Sequence, residues 1–123
     1  MAEQTIASHK DLKVWQKAMT LAETVYRIAD ELPKREEYRI TSQIVRAAIS
    51  IPANIAEGNA RGTRKDYANF ISIARGSAAE LETLLLLAGR AGLLPQSTLS
   101  DALALTEEVG RMLNTMRQRL INP

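Results

Sequence analysis

Apolar residues recur every three or four positions along most of this 123-residue chain, which is the spacing of one face of an α-helix. No segment shows the strict alternation of apolar and polar residues that is typical of a β-strand. The spacing predicts four helices, over residues 11–32, 36–57, 63–88 and 98–120. Because short links containing glycine or proline join them, consecutive helices are expected to run antiparallel. We therefore predict an all-α fold, an antiparallel up-down four-helix bundle.

Residues that favour helix ends lie at the borders of these segments. Ser8 is predicted to cap the first helix in a capping box with an acidic residue three positions later. Thr63 is predicted to cap the third helix, with Asp66 at the position that completes the box. Either Ser97 or Thr98 is predicted to cap the fourth.

The stretch SIPANIAEGNARGTRKDY, residues 50–67, allows two interpretations. Its glycines among basic residues resemble a phosphate-binding loop, but such a loop follows a strand and ends in Gly-Lys-Ser/Thr. Here a helix precedes, and Gly62 is followed by Thr63, Arg64 and Lys65 in the wrong order. A helix end followed by a new helix cap explains both glycines. Pro52 removes one backbone hydrogen bond from the second helix, so we predict a kink there.

Some apolar residues form a second stripe that a lone bundle does not bury. The inner stripe of the first helix is predicted to include Trp15, Met19 and Tyr26. The residues of the second stripe are either the edge of a broad core with ordinary scattered exposure, or a contact surface between subunits. The second stripe comprises Val14, Leu21 and Ile28 on the first helix, Ile73, Leu84 and Leu87 on the third, and Leu105 and Met112 on the fourth.

The composition places these helices in one domain. With 46% hydrophobic residues, the chain is long enough for one core and too short for two ordinary domains. We predict a single domain over residues 1–123, with residues 1–10 as a flexible tail. The chain has no cysteine, no secretory signal, and no apolar run near the roughly 20 residues that span a bilayer. We expect a soluble, cytoplasmic protein without a membrane partner.

No group of residues has the spacing of an active site. The single histidine, His9, has no orienting partner in a fixed register and is expected to be a solvated tail residue. Acidic residues occur as adjacent pairs such as Glu107 and Glu108, and side chains of adjacent helical residues point about 100° apart. Such pairs do not share a substrate or a metal. We therefore expect no enzyme activity, no cofactor and no metal site.

A polar stripe follows one side of the second helix, and the fold is predicted to bring Glu80 of the third helix opposite Arg46 as its ion-pair partner. A ligand site is one interpretation of this stripe. The favoured interpretation is a set of satisfied polar contacts that fixes the register between helices or subunits. We name the group the polar seam; it comprises Gln43, Arg46, Ser50, Asn54, Glu57 and Glu80.

Three stretches of sequence resemble one protein family over nearly the whole chain. They are DLKVWQKA at residues 11–18, QIVRAAISIPANIAEG at 43–58 and GSAAELETLL at 76–85. They are similar to the four-helix-bundle proteins associated with 23S ribosomal RNA intervening sequences, also called S23 ribosomal proteins. Members resemble the accessory protein of diversity-generating retroelements, which helps a reverse transcriptase handle RNA. The resemblance implies a homopentameric ring and supplies no catalytic residues.

Basic residues gather at one end of the predicted bundle. Cations near a helix N-terminus are disfavoured by about 0.3–1 kcal/mol, so stability does not explain the basic residues at the starts of the first and third helices. A common solvated surface is one interpretation and a nucleic-acid surface is another. Eight basic residues, Lys10, Lys13, Lys17, Arg61, Arg64, Lys65, Arg117 and Arg119, face four acidic ones, Glu3, Asp11, Glu57 and Asp66, which leaves +4 at this end of a chain whose net charge is +2.

Two functions are compatible with these features. The first is a self-assembling protein that binds RNA, or an RNA-handling partner, through the basic end. Since the few aromatic residues are predicted to face inward, that binding would be electrostatic and weakly specific for sequence. The second is a structural oligomer or protein-interaction scaffold without nucleic-acid binding.

Overall fold

Four long helices make up most of the structure, a computed structural model that describes residues 8–123. They are α1 (Lys13–Ala29), α2 (Ser42–Ala60), α3 (Arg64–Arg90) and α4 (Gln96–Ile121). Over the described residues the chain forms no β-strand. No helix in residues 8–123 has the length and apolar character needed to cross a membrane. The fold is therefore all-α, a four-helix bundle, as the apolar spacing predicts; most of the predicted tail, with Glu3, lies outside the described residues.

Each helix packs against two others, so that α2 lies between α1 and α3, and α4 lies between α3 and α1. Contacts between α2 and α3 pair residues in opposite chain order. Ser50 meets Ser77 with 2.8 Å between their hydroxyl oxygens, whereas the later Asn59 meets the earlier Tyr67 at 3.3 Å. This order is what the up-down arrangement requires.

All four helices contribute to the core, and α2, α3 and α4 contribute the apolar faces that their helical spacing predicts. Burying one large aliphatic side chain contributes about 1.5–3 kcal/mol, so this core is the main source of stability. One polar residue joins it: the hydroxyl of Thr106 donates to the carbonyl of Ala102 at 2.6 Å and is satisfied within its own helix. The fully buried side chains include Ile44, Ile51 and Ile55 of α2, Ile71, Leu81 and Leu85 of α3, and Leu99, Val109 and Leu113 of α4.

The predicted inner stripe of α1 is wrong in part. Val14, Leu21 and Ile28, which were expected to form a surplus stripe, are buried at 6%, 0% and 4% exposure. Met19 and Tyr26, expected inside, are 38% and 55% exposed. The helix is rotated relative to the prediction because it packs against both α2 and α4, and this double contact buries the residues that face the groove between them.

Two sets of apolar side chains remain exposed. One lies on α1 and α2 and consists of Met19, Tyr26 and Ile49; the other lies on α3 and consists of Ile73, Leu86 and Leu87. Tyr38 and Ile121 are exposed outside these two sets. The second stripe is therefore a surface feature on α3 and a core feature on α1. Three further members, Leu84, Leu105 and Met112, pack half-buried against the core.

The start of the second helix differs from the prediction. In place of an α-helix from Glu36, the chain forms a 3₁₀ turn (Lys34–Glu36) and a π-helical turn (Glu37–Thr41) before α2 begins. Arg39 leaves the helical backbone region, with φ −113° and ψ −112°. Glu36 is buried, and its carboxylate accepts a hydrogen bond from Arg39 at 3.2 Å. This carboxylate holds the turn together, and a buried acid has no signature in the apolar spacing.

Capping by Thr63 is confirmed, whereas capping of α1 by Ser8 is not. The hydroxyl of Thr63 accepts a hydrogen bond from the backbone N–H of Asp66 at 3.1 Å. The hydroxyl of Ser8 accepts from the N–H of Lys10 at 3.1 Å, so it caps a separate 3₁₀ turn, His9–Asp11. The first helix therefore begins later than expected.

The predicted cap of the fourth helix is wrong. The helix begins at Gln96, directly after Pro95, with no side-chain cap. Ser97 and Thr98 therefore lie inside its first turn. The hydroxyl of Thr98 instead donates to the carboxylate of Glu31 at 3.2 Å, a contact with the segment after α1 that outcompetes a local cap.

Pro52 is buried in the middle of α2, which continues without a break from Ser42 to Ala60. Its ring removes one hydrogen bond from the helix at a cost of about 3 kcal/mol, and packing in the core offsets that cost. The kink expected at this residue stays a prediction.

Candidate nucleic-acid interface

The first turn of α3 and the last turn of α4 lie side by side. The Thr63 cap fixes the start of α3 and with it the positions of Arg64 and Lys65. One guanidinium nitrogen of Arg64 donates to the backbone carbonyl of Arg119 at 3.2 Å. This bond satisfies one of the carbonyls that the end of α4 leaves without a helical partner, and it joins the two helix ends.

A basic groove of about 430 Å³ lies between these helix ends, lined by Arg64, Lys65 and Arg117 together with Asn69, Ser72 and apolar residues of the last turn of α4. The Nε of Arg117 donates to the hydroxyl of Ser72 at 2.6 Å, which fixes its guanidinium against α3. No aspartate or glutamate lines the groove. The groove thus presents three basic side chains and no acidic side chain.

Two of the predicted basic residues are held by carboxylates instead. Arg61 forms an ion pair with Glu57 at 3.0 Å, and its guanidinium lies over the ring of Phe70, 4.7 Å from the centroid. Lys17 forms an ion pair with Glu108 of α4 at 3.0 Å. Both side chains connect elements of the bundle, and neither lines the basic groove.

The two remaining lysines also lie outside the basic groove. Lys13 and Lys17 line a shallow cleft on α1. Lys10 lies in the 3₁₀ turn, and its carbonyl accepts a hydrogen bond from the Gln16 amide at 2.9 Å. The structure therefore brings together Arg64, Lys65, Arg117 and the backbone of Arg119, and separates Lys10, Lys13, Lys17 and Arg61 from them.

Sequence reasoning missed two polar residues of the basic groove, Asn69 and Ser72. Asn69 lies four residues after Lys65 and Ser72 three residues after Asn69, so all three lie on the same face of α3. That spacing is visible in the sequence and, once α4 is placed beside this face, identifies both residues.

The α2–α3 turn is packed around two aromatic side chains. Gly58 is buried, and a Cβ atom there would lie 2.9 Å from the Cβ of Phe70 and 2.9 Å from a ring carbon of Tyr67. Burial raises the pKa of Tyr67 above its ordinary value, and a hydrogen bond from Asn59 acts in the opposite direction. The close approach at Gly58 sets the distance between the end of α2 and the start of α3, which carries two of the groove cations.

The polar seam divides into a bonded part and an open part. Ser50 and Ser77 share a hydrogen bond of 2.8 Å, and the amide of Asn54 donates to the carbonyl and the hydroxyl of Ser50 at 2.8 and 2.9 Å. Glu57 forms its ion pair with Arg61, which is not a residue of the polar seam.

The open part of the seam faces a cavity of about 590 Å³ between α2 and α3, which we name the α2–α3 cavity. Arg46 and Glu80 both line it, but the ion pair predicted between them is absent, because their charged groups are more than 4.0 Å apart. The cavity lies between the two helices and separates the Arg46 and Glu80 side chains, so the predicted contact does not form. Its lining comprises Tyr38, Arg39, Ser42, Gln43, Arg46, Ala47, Ser50, Ser77 and Glu80.

The single histidine packs against an aromatic side chain. His9 was expected to be solvated, but it is partly buried and packs edge-on against Trp15, with 5.0 Å between ring centroids. In the part of the chain that the structure describes, no three His, Asp or Glu side chains are placed to hold a metal ion.

Comparison with known proteins places the chain beside a protein family and beside solved structures of similar fold. Residues 10–115 match the model of a family described as 23S rRNA-intervening sequence protein. A solved structure from Bacteroides thetaiotaomicron, a protein of unknown function from the S23 ribosomal protein family, superposes with a TM-score of 0.80. The two chains are 25% identical, and the match covers 85% of this chain and 98% of that chain. No curated protein sequence matches the chain.

Proposed function

Because the chain belongs to the 23S rRNA-intervening sequence protein family, we propose that it is a non-catalytic protein that assembles into a ring and binds RNA through the basic groove. The observation that carries the proposal is the groove itself, in which Arg64, Lys65 and Arg117 meet without an acidic side chain. The family name points to ribosomal RNA as the class of ligand. A non-catalytic role is proposed because the chain has no cysteine and its one histidine packs against Trp15.

The groove fits the sugar-phosphate backbone of RNA better than its bases. Guanidinium groups form paired hydrogen bonds to phosphate oxygens, and binding by cations releases the counterions that surround a nucleic acid. Tyr26 and Tyr38 are exposed, but no aromatic side chain lines the groove, so no stacking platform for bases is present there. Binding is therefore electrostatic, falls with rising salt and depends little on sequence.

Assembly rests on the two exposed apolar sets. Met19, Tyr26 and Ile49 lie on α1 and α2, whereas Ile73, Leu86 and Leu87 lie on α3. A ring needs two different surfaces on each subunit, because each subunit contacts its neighbours head to tail. A pentamer, which the family resemblance implies, repeats the basic groove five times and strengthens the field that attracts phosphates.

The test of RNA binding is a salt titration with structured RNA, single-stranded DNA and duplex DNA. We expect the Arg64→Ala/Lys65→Ala/Arg117→Ala variant to lose affinity and to reduce the slope of log affinity against log salt by about 1 per cation removed. Lys17→Ala/Arg61→Ala is the control, since it also removes basic residues but takes them from ion pairs outside the groove. Absence of binding by the wild type at low salt, or equal affinities and slopes for wild type and groove variant, refutes the proposal.

The test of assembly is sedimentation at micromolar concentration. Ring formation is refuted if the protein sediments only as the 13.6 kDa monomer. An oligomer that binds no nucleic acid would favour the second function, a structural or protein-interaction scaffold. The exposed apolar sets are the observation that favours that alternative.

A further inference from the structure

The α2–α3 cavity carries two opposite charges that do not neutralise each other. Arg46 projects from α2 and Glu80 from α3, both side chains are exposed, and both line the cavity. Neither forms a salt bridge with any partner in residues 8–123. The volume of about 590 Å³ falls in the range of small-molecule sites, about 300–1,000 Å³.

The wall between these charges offers a hydrogen-bond donor. Ser50 and Ser77 contribute two hydroxyl protons, and one of them lies in the 2.8 Å bond between the two oxygens. The Ser50 oxygen also accepts from Asn54 at 2.9 Å, which leaves the second proton available. Ser77 is only 9% exposed, so a ligand in the cavity is a natural acceptor for that proton.

The charges of the cavity select the class of ligand. The Arg46 guanidinium, a serine hydroxyl and the Gln43 amide are donors suited to a carboxylate, whereas the Glu80 carboxylate is an acceptor suited to an ammonium group. A phosphate dianion is repelled by Glu80, and a simple cation is repelled by Arg46. Arg39, at the rim, is already held by Glu36 at 3.2 Å.

We infer that the α2–α3 cavity binds a small zwitterion of the amino-acid class, with its carboxylate on Arg46 and the hydroxyl pair and its ammonium group on Glu80. This inference is independent of RNA binding, because the basic groove lies between α3 and α4.

Calorimetry on the intact protein tests the inference with the twenty common L-amino acids, each titrated alone. We expect saturable binding of at least one amino acid at concentrations up to about 10 mM. Its N-acetyl derivative, which lacks the ammonium group, and its amide, which lacks the carboxylate, should each bind at least about tenfold more weakly. Inorganic phosphate should not compete.

Two variants test which side chain contacts each end of the ligand. Arg46→Gln and Glu80→Gln should each weaken binding by at least about tenfold without changing the thermal midpoint, because both side chains are exposed. The controls are Arg75→Gln and Glu82→Gln, on the side of α3 that faces α4, and these should bind as the wild type does. The inference is overturned if no amino acid binds saturably, if the cavity variants keep the wild-type affinity, or if phosphate competes as well as the amino acid.

Discussion

The two connections that lead into α2 and α3 are built in different ways. The α2–α3 connection is short and depends on neighbouring residues: Thr63 caps the helix that follows, and Gly58 allows the close approach of Tyr67 and Phe70. The α1–α2 connection passes through a 3₁₀ turn and a π-helical turn, organised around the buried Glu36. A helix cap and a close approach at a glycine therefore define the first connection, and a buried carboxylate defines the second.

This difference bears on both proposed sites. The regular start of α3 places Arg64 and Lys65 in the basic groove. The irregular start of α2 places Tyr38 and Arg39 at the α2–α3 cavity. π-Helical turns occur often at functional sites, and here the turn widens the surface that α2 offers to a ligand.

The largest effect is expected from adding a methyl group to the α2–α3 connection. In Gly58→Ala the new Cβ would lie 2.9 Å from Phe70 and 3.3 Å from the backbone oxygen of Tyr67. Overpacking of this kind costs about 1–3 kcal/mol, measured as a loss in the free energy of unfolding in urea. The matched control is Gly76→Ala in α3, where no atom lies within 4 Å, and where alanine should stabilise the helix by up to about 1 kcal/mol. Equal stabilities for Gly58→Ala and wild type would show that Gly58 does not lie close to Tyr67 and Phe70 in solution.

The next largest effect is expected in the α1–α2 connection. Glu36→Gln removes the charge that accepts from Arg39 at 3.2 Å, and because the arginine is largely exposed we expect a loss of about 1–1.5 kcal/mol. Hydrogen exchange should become faster at residues 37–41 and stay unchanged at the start of α3. Glu37→Gln, an exposed neighbour, is the control. Unchanged exchange in Glu36→Gln would mean that the carboxylate does not hold the turn.

Removing the cap of α3 should have a smaller effect. Thr63→Ala deletes the hydroxyl that accepts from the N–H of Asp66 at 3.1 Å, and loss of such a cap costs about 1 kcal/mol. Thr63→Ser keeps the hydroxyl and should keep nearly all of the stability. If serine and alanine prove equivalent in urea unfolding, the local account of this connection is wrong.

The smallest effect is a pH dependence from Tyr67. Burial raises its pKa in the folded protein above the ordinary value of 10.0, so folding favours the neutral phenol. The resulting stability is present in full below pH 10.0 and is lost as pH rises through the folded-state pKa. Unfolding in urea between about pH 9 and 11 should show this decline in the wild type and a weaker decline in Tyr67→Phe. Identical pH profiles for the wild type and Tyr67→Phe would contradict this prediction.

The sequence allowed prediction of those features that depend on near neighbours. The four helices, the inner faces of α2, α3 and α4 and the Thr63 cap follow from spacings of three or four residues. The rotation of α1 was not predictable in this way, because Met19 and Leu21 are both apolar and only the positions of α2 and α4 decide which is buried. The turn at Glu36 was missed for a related reason: its partner Arg39 is only three residues away, but tertiary packing decides that the Glu36 carboxylate is buried.

The same division applies to the candidate site. Arg64 and Lys65 were placed correctly beside the end of α4, because their position follows from helix order. The ion pairs that hold Lys17 and Arg61 depend on side-chain orientation, so net charge alone overestimated the size of the basic surface. The prediction of an Arg46–Glu80 ion pair was wrong because helical spacing does not encode the distance across a cavity.

The contact between α1 and α4 has a consequence for synthesis on the ribosome. Thr98 of α4 meets Glu31, 67 residues earlier in the chain, and ribosomes add about 5–20 residues per second. The end of α4, Ile121, lies 90 residues after Glu31 (121 − 31), so the nascent chain carries Val14, Leu21 and Ile28 without their final neighbours for about 5–18 seconds after the Glu31 codon is translated. During that interval a three-helix intermediate exposes an aliphatic surface, and binding of a chaperone to this surface would end when translation completes α4.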